Sequence, residues 1–283
     1  MKDTTAPVNL GAIGVHYVEG ELTPEAAAHV ERLGYTALWI AGTREPKLTI
    51  VERMLEATDT LVVATGVVNV WHMNARAVAD TYHWLDAAYP GRFLLGIGAG
   101  HRESGADFRS PYQAVVDYLD VLDERGVPKQ RRALAALGPR MLKLAAERSA
   151  GAHPFLVTSA YTRRARALIG PDAMLAVEHK VALGDLHSTR GAGRENIAAN
   201  HLRLTNYRAN LMRMGFADED LAHDGSDELI DALIAQGDAT TAAKQLRAQL
   251  DAGASHLVVN AIPSSDRLPI LTALVPELEL ARG

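Results

Sequence analysis

Eight short, apolar, largely unbroken runs, each followed by a helical pattern, predict a single (β/α)8 barrel of the TIM type. The 283 residues suit one such domain, and a hydrophobic fraction of 48% supplies its core. The runs do not alternate apolar with polar residues, as strands wetted on one face do, so they belong to a parallel sheet covered by helices. Residues 1–283 are read as one domain, with a helical insertion between strands seven and eight.

The elements follow in order. Strand one is "LGAIGV" (10–15), and "TPEAAAHVERLG" (23–34) is the first helix. There Thr23 can cap, Pro24 suits the first turn, and Gly34 suits a left-handed stop. "TALWIA" (36–41) is strand two, with Trp39 in the core, and a helical stretch leads to strand three, "TLVVATGVV" (60–68). "NARAVADTYHWLDAAYPG" (74–91) is helical, with Ala77, Thr81, Trp84 and Ala88 on one stripe. "RFLLGIG" (92–98) is strand four, "RRALAA" (131–136) strand five, and "PRMLKLAAERSAG" (139–151) the next helix. "AHPFLVT" (152–158), "MLAVEHKVAL" (174–183) and "SHLVVNAI" (255–262) are strands six to eight. The long, partly polar, mostly helical region 184–254 reads as the insertion, near the barrel mouth.

Composition narrows the function. Charged residues make up 22% and the net charge is -5, so no basic face for nucleic acid is indicated. There are no cysteines, which excludes disulfides, Cys–zinc sites and thiol catalysis. No apolar run reaches membrane-span length, and "MKDTTAPVNL" lacks a signal-peptide core, so a soluble, cytoplasmic protein is expected.

Barrels of this type carry their active sites at the C-terminal ends of the strands. Candidates there are His16 and Tyr17, residues 41–43, Asn69 to His72, His101 to Ser104, Thr158 and Ser159, and Asn260. Gly66 stands inside a buried strand, where glycine marks a bulge, a bend or a close approach. Trp71 beyond it could wall a ring pocket or cover the rim. "GIGAGH" fails as a dinucleotide fingerprint, because His101 or Glu103 falls where the last glycine is needed. Glycines 96, 98 and 100 share one face, which leaves space for a flat ligand or a packed neighbour. Gly138 and Pro139 start a helix whose free N–H groups, with Arg140, Lys143, Arg131 and Arg132 nearby, could hold an anion; an ordinary capped helix is the alternative. No metal site is expected: there is no HExxH, and His101-x-Glu103 is weak. His29, His83 and His153 read as surface or packing residues, whereas His16, His72 and His101 fall at strand ends. The arginines at 163, 164 and 166 read as a solvated helical face.

Taken in order, "LGAIGV", "LGYTALWI", "ATGVVNVW", "YPGRFLLGIGAGH", "LAALGPRMLKLAAERSAGAHPFLVT" and "DAGASHLVVNA" resemble the bacterial luciferase-like superfamily. The chain is most similar to its coenzyme F420 (deazaflavin) dependent oxidoreductase branch, over essentially its whole length. The resemblance implies a homodimer, with a flavin-like ring lying across the barrel mouth. It implies a cis Gly66–Val67 peptide forming a bulge behind the ring, with Val67 as an apolar backstop and Asn69 and Trp71 turned toward the pocket rim. Ala135, Ala136, Leu137, Gly138 and Pro139 match the strand-five turn that lines the cofactor. His101 falls at the position of a catalytic glutamate in sugar-phosphate dehydrogenases of the superfamily, and Ser104 at that of an asparagine near the ring.

There are departures. An Asp-His pair after strand two is replaced by Ala41 and Gly42, and a phosphate-binding lysine by Tyr161. A sugar phosphate is therefore not expected as substrate. The implied activity is hydride transfer between deazaflavin C5 and a small organic substrate, with His101 as first and His16 as second candidate for proton transfer. The alternatives are an FMN-dependent monooxygenase and a flavin- or deazaflavin-binding protein without turnover.

Overall fold

The computed structural model describes residues 6–101 and 110–280. Its strands are β1 (Ile13–Val18), β2 (Ala37–Ala41), β3 (Val62–Thr65), β4 (Val68–Asn69), β5 (Phe93–Gly98), β6 (Arg132–Leu134), β7 (Gly151–Ala152), β8 (Met174–Leu183), β9 (Ile234–Gly237) and β10 (His256–Ala261). Each pairs in parallel with its neighbours, and β10 closes the ring by pairing with both β1 and β8. Because β3 and β4 are halves of one strand and β9 lies outside the ring, the barrel has eight strand positions. It is a TIM barrel.

The covering helices are α1 (Pro24–Arg32), α2 (Thr49–Glu56), α3 (Ala75–Ala88), α4 (Pro111–Glu124), α5 (Pro139–Arg148) and α6 (Ser159–Ile169), then α10 (Ala239–Asp251) and α11 (Arg267–Glu277). Between them stand α7 (Leu186–Asn200), α8 (Thr205–Met214) and α9 (Asp227–Leu233). The insertion is thus shorter than 184–254. It ends in β9, which pairs with Lys180 to Leu183 of β8, and α10 is the ordinary barrel helix after strand seven. The insertion packs a second apolar cluster against Leu156, Ala182 and Ile262 of the barrel, in which Ile197, Leu211, Leu229 and Ile230 are fully buried.

Local chemistry explains the boundaries. Thr23 accepts a hydrogen bond from Ala26 N, and Gly34 takes φ +89°, so α1 starts and stops where expected. Strand six ends early at Ala152, because Pro154 has no N–H to donate; its carbonyl still accepts from Glu178 N. On α3 the buried stripe is Val78, Tyr82 and Leu85, one step from the one expected, and Trp84 is exposed. The bulkier apolar side chains decide the face. Among the described residues no helix is long and apolar enough to cross a membrane.

Strand three carries the irregularity that shapes the mouth. Ala64 pairs with Leu94 but Val68 pairs with Ile97, so four steps on one strand face three on the other. One extra residue makes a β-bulge. The Gly66–Val67 peptide within it is cis. Gly96 and Gly98 lie opposite. A Cβ at Gly96 would collide with Thr65 O, and one at Gly98 would sit 2.6 Å from Val67 Cγ2. The glycine face therefore takes a packed neighbour, the bulge itself, and not a flat ligand.

Thr65 spans the gap in the ladder. Its hydroxyl donates to Gly96 O and accepts from Gly96 N, each at 2.8 Å and fully buried. Thr65→Val keeps the shape and strands both backbone groups, so it is expected to cost about 2 kcal/mol. A shift of the urea midpoint at unchanged slope would register this, and an unchanged midpoint would contradict it.

Inside the barrel, small residues surround one large one. Ala37, Ala64, Ala133 and Ala176 ring the fully buried Trp39. One inward step further along the strands the lining turns polar, because residues two apart share a face: Gly14 gives way to His16, Ala176 to Glu178, and Val258 to Asn260.

Candidate active site

These polar residues form the floor of a cavity of about 1540 Å3 at the C-terminal ends of the strands. Glu178 is at its centre and is buried. Asn260 Nδ2 donates to Glu178 Oε1 at 2.6 Å, and His16 Nδ1 lies 3.4 Å from the same oxygen. His153 Nε2 lies 3.4 Å from Oε2. The His16 contact has ion-pair separation without hydrogen-bond alignment, which leaves His16 Nδ1 without a hydrogen-bond partner.

A backbone carbonyl fixes the tautomer of His153. Its Nδ1 is 2.9 Å from Ala176 O, which can only accept, so Nδ1 carries a hydrogen. Its Nε2 then faces Glu178 Oε2 across 3.4 Å. Burial opposes charge on Glu178, but His16 and His153 outweigh it and hold its pKa well below the ordinary carboxylate value. The ring of His153 is held flat against Trp39, with centroids 4.1 Å apart and planes at 19°.

Lys180, two residues along β8, faces the same cavity and is 4% exposed. Burial lowers its pKa to about 8, partly offset by Glu178. Its Nζ lies 5.0 Å from the centroid of the Phe155 ring.

The walls come from the loops and the insertion. Gly66, Val67 and Asn69 line one side, and Ala135, Ala136, Leu137 and Gly138 another. Asn69 Oδ1 accepts from Trp71 N at 2.9 Å, and a Cβ on Gly100 (φ +61°) would strike Asn69 Nδ2. Tyr161 donates its hydroxyl to Leu137 O at 2.7 Å and so buttresses the strand-five turn. His101 stands at the cavity edge, its Nδ1 3.0 Å from Asn206 Oδ1 and its ring 5.3 Å from Tyr207.

Other sequence expectations land elsewhere. Trp71 gives its indole N–H to Ala99 O at 2.6 Å and covers the rim instead of lining the cavity; Pro139 is exposed on the first turn of α5. Ser104 lies outside the described residues. Arg132 is buried at the far end of β6 beside Asp123, and Arg140 stacks on Tyr112 at 4.3 Å. The cation beside the strand-five turn is instead Arg213 of α8, with Nη2 4.0 Å from where a Gly138 Cβ would be. Arg166 is not a solvated residue either: it binds the carbonyls of Gly253, Gly170 and Ala173. His153, expected as surface or packing, is a floor residue.

Glu178 and Lys180 were not singled out from the sequence. The signal was present: three ionisable residues, Glu178, His179 and Lys180, stand in mid-strand in a continuous apolar run, and charged residues are seldom buried without a purpose. Period-two alternation separates them, sending 178 and 180 inward and His179 outward to Gln249.

A flat ring fits the wall side. Ala41, Gly66, Ala99 and Ala135 project little or nothing into the cavity, and Val67, seated on the glycines of β5, backs them. An anionic tail fits Arg213 and the turn at Gly138.

Solved structures share this architecture. An F420-dependent secondary alcohol dehydrogenase in complex with an F420–acetone adduct is 15% identical, with a TM-score of 0.72, covering 94% of this chain and 98% of that one. A coenzyme F420-dependent tetrahydromethanopterin reductase from Methanopyrus kandleri is 14% identical, with a TM-score of 0.65, covering 96% of this chain and 100% of that one. A type II Baeyer–Villiger monooxygenase from Pseudomonas putida in complex with FMN is 16% identical, with a TM-score of 0.68, covering 96% of this chain and 97% of that one. The sequence matches no curated protein. It does match the family described as luciferase-like monooxygenase over residues 12–256, nearly the whole barrel, and the chain belongs to that family.

Proposed function

We propose that the protein is an F420-dependent oxidoreductase acting on a small organic substrate. The observation that carries this reading is the buried Glu178 with His16 and His153 at ion-pair distance, in a floor that opens on the cavity. Bound deazaflavin supplies or accepts hydride at C5. The chain's own residues do the rest. The Val67 bulge and the Ala135–Gly138 turn would hold the ring, and Arg213 would meet the anionic tail. His16, His153 and Glu178 are the floor groups placed to exchange a proton with the substrate atom that would gain negative charge. This carboxylate–imidazole set, from β1, β7 and β8, stands in for the Asp-His pair absent after strand two. A homodimer and a cytoplasmic location accord with this reading.

The FMN-dependent monooxygenase is the second reading, favoured by the FMN-bound neighbour. Titration with both cofactors separates the two. F420 is expected to bind at least tenfold tighter than FMN, about 1.4 kcal/mol. Equal or tighter FMN binding would transfer the assignment to the monooxygenase.

A further inference from the structure

Lys180 has no hydrogen-bond or ion-pair acceptor among the described residues. The ammonium group has three donors, and its described close contact is the face of Phe155 at 5.0 Å. Glu178, two residues away on the same face, is already engaged by Asn260, His16 and His153. Arg267, the other cation on the floor side, is not free in the same way: it binds Glu21 at 2.6 Å and stacks on Tyr17. A cation nine-tenths buried costs several kcal/mol unless something compensates it. A single aromatic face returns about 1–2 kcal/mol.

The surroundings of Lys180 are planar and apolar on one side. Phe155, His201 and Tyr207 pack edge to face, with centroids 5.1 to 5.8 Å apart. Burial lowers the pKa of His201 to about 3, so this ring is neutral and adds no rival cation. Its Nδ1 also has no hydrogen-bond partner. Three aromatic edges and one ammonium suit a flat molecule with a single negatively charged end.

We propose that Lys180 is the docking point for the carboxylate of a small planar substrate. The inference rests on this cavity being the reaction site of the proposed oxidoreductase. It narrows the substrate class to conjugated or aryl carboxylates, and it sets the anionic end beside the floor of His16, His153 and Glu178. A phosphate is the other anion of matching chemistry. A single ammonium offers no bidentate fork for it, so the carboxylate is favoured.

Calorimetric titration of the full chain with benzoate, benzamide and inorganic phosphate tests this. Without added cofactor, benzoate is expected to bind at least tenfold tighter than its neutral isostere benzamide and tighter than phosphate. In Lys180→Met the benzoate preference is expected to vanish while benzamide affinity stays within threefold. Lys180→Gln serves if the methionine variant does not fold, and the wild-type benzoate-to-benzamide ratio needs no variant. A ratio near one, or a preference that survives loss of the lysine, overturns the proposal. Phosphate binding tighter than benzoate and lost with the lysine overturns it too, assigning Lys180 to a phosphate. Since no cofactor enters these titrations, their failure is distinct from a failure of the F420 assignment, which the F420 and FMN affinities report.

Discussion

Glu178→Gln is expected to lower turnover by about 100-fold or more, equivalent to about 2.7 kcal/mol of barrier. The amide matches the carboxylate in shape and can keep a contact with Asn260, but it carries no charge. The floor then loses the negative charge that faces both imidazoles, 3.4 Å from His16 Nδ1 and 3.4 Å from His153 Nε2, and that would balance a proton moving through them. Cofactor affinity is expected to change less than threefold, because Glu178 lies under the cavity and the walls are untouched. The loss should appear in kcat and kcat/KM alike, the signature of an interaction made in the transition state. A drop below about threefold would remove the floor from the chemistry. Its rival is His101 at the cavity edge, which the sequence reading ranked first. His101→Ala, measured on the same substrate, must then give the larger loss. The tie of His101 to Asn206 and Tyr207 argues for a role in holding α8 over the cavity, which would raise KM and spare kcat.

Unfolding free energy is expected to fall steeply with acidity between pH 6.5 and 4, by about 4 kcal/mol per pH unit near pH 5. Three buried histidines cause this. The pKa values of His179 and His256 are lowered to about 4 and that of His201 to about 3, in each case first by burial. Hydrogen bonds fix two of them as neutral. Trp39 Nε1–H donates to His256 Nε2 at 3.2 Å while His256 Nδ1 bonds Gly11 O, and the Gln249 amide donates to His179 Nδ1 at 3.1 Å. In the unfolded chain each would titrate near 6.5. The folded values are depressed, so this contribution is full above pH 6.5 and is lost as the unfolded state takes up protons that the fold refuses. Each withheld proton tilts stability by about 1.4 kcal/mol per pH unit, which gives about 4 for the three. Glu178 adds to the loss only further down, as pH falls below its unfolded value toward its depressed folded one. Urea titrations at pH 7, 6 and 5 measure the slope. A slope under about 1 kcal/mol per unit would mean that these rings are solvated or already charged.

Much of the barrel is legible in the sequence because both faces of its strands are buried, which makes them continuous apolar runs. Met174–Leu183 is visible to the residue for that reason. Legibility fails where a tertiary contact decides. Pro154 cuts strand six short, yet only the place of β8 shows that its carbonyl is still used. The glycine face of β5 is readable as empty, but whether a ligand or a neighbour fills it depends on the extra residue in strand three. At the site, positions at strand ends could be named from the runs themselves. The floor could not, because which residues of a buried strand point inward is a matter of register. His153 looked like packing for the same reason: its partners are 23 and 25 positions away on another strand. Arg213 and Asn206 are contributed by the insertion, and nothing local in α8 marks the face it turns to the barrel.

The attachment of β9 to the upper half of β8 divides the molecule's labour. β8 pairs with β10 of the closed ring as far as Val181 and carries Glu178 within that stretch. From Lys180 its other edge takes the insertion's β9, by four residue pairs. The insertion's apolar cluster meets the barrel through Leu156, Ala182 and Ile262, apart from the larger core around the helices. In the proposed reading the insertion shapes the space for the substrate while the barrel carries the floor of His16, His153 and Glu178, and Lys180 stands where the two meet.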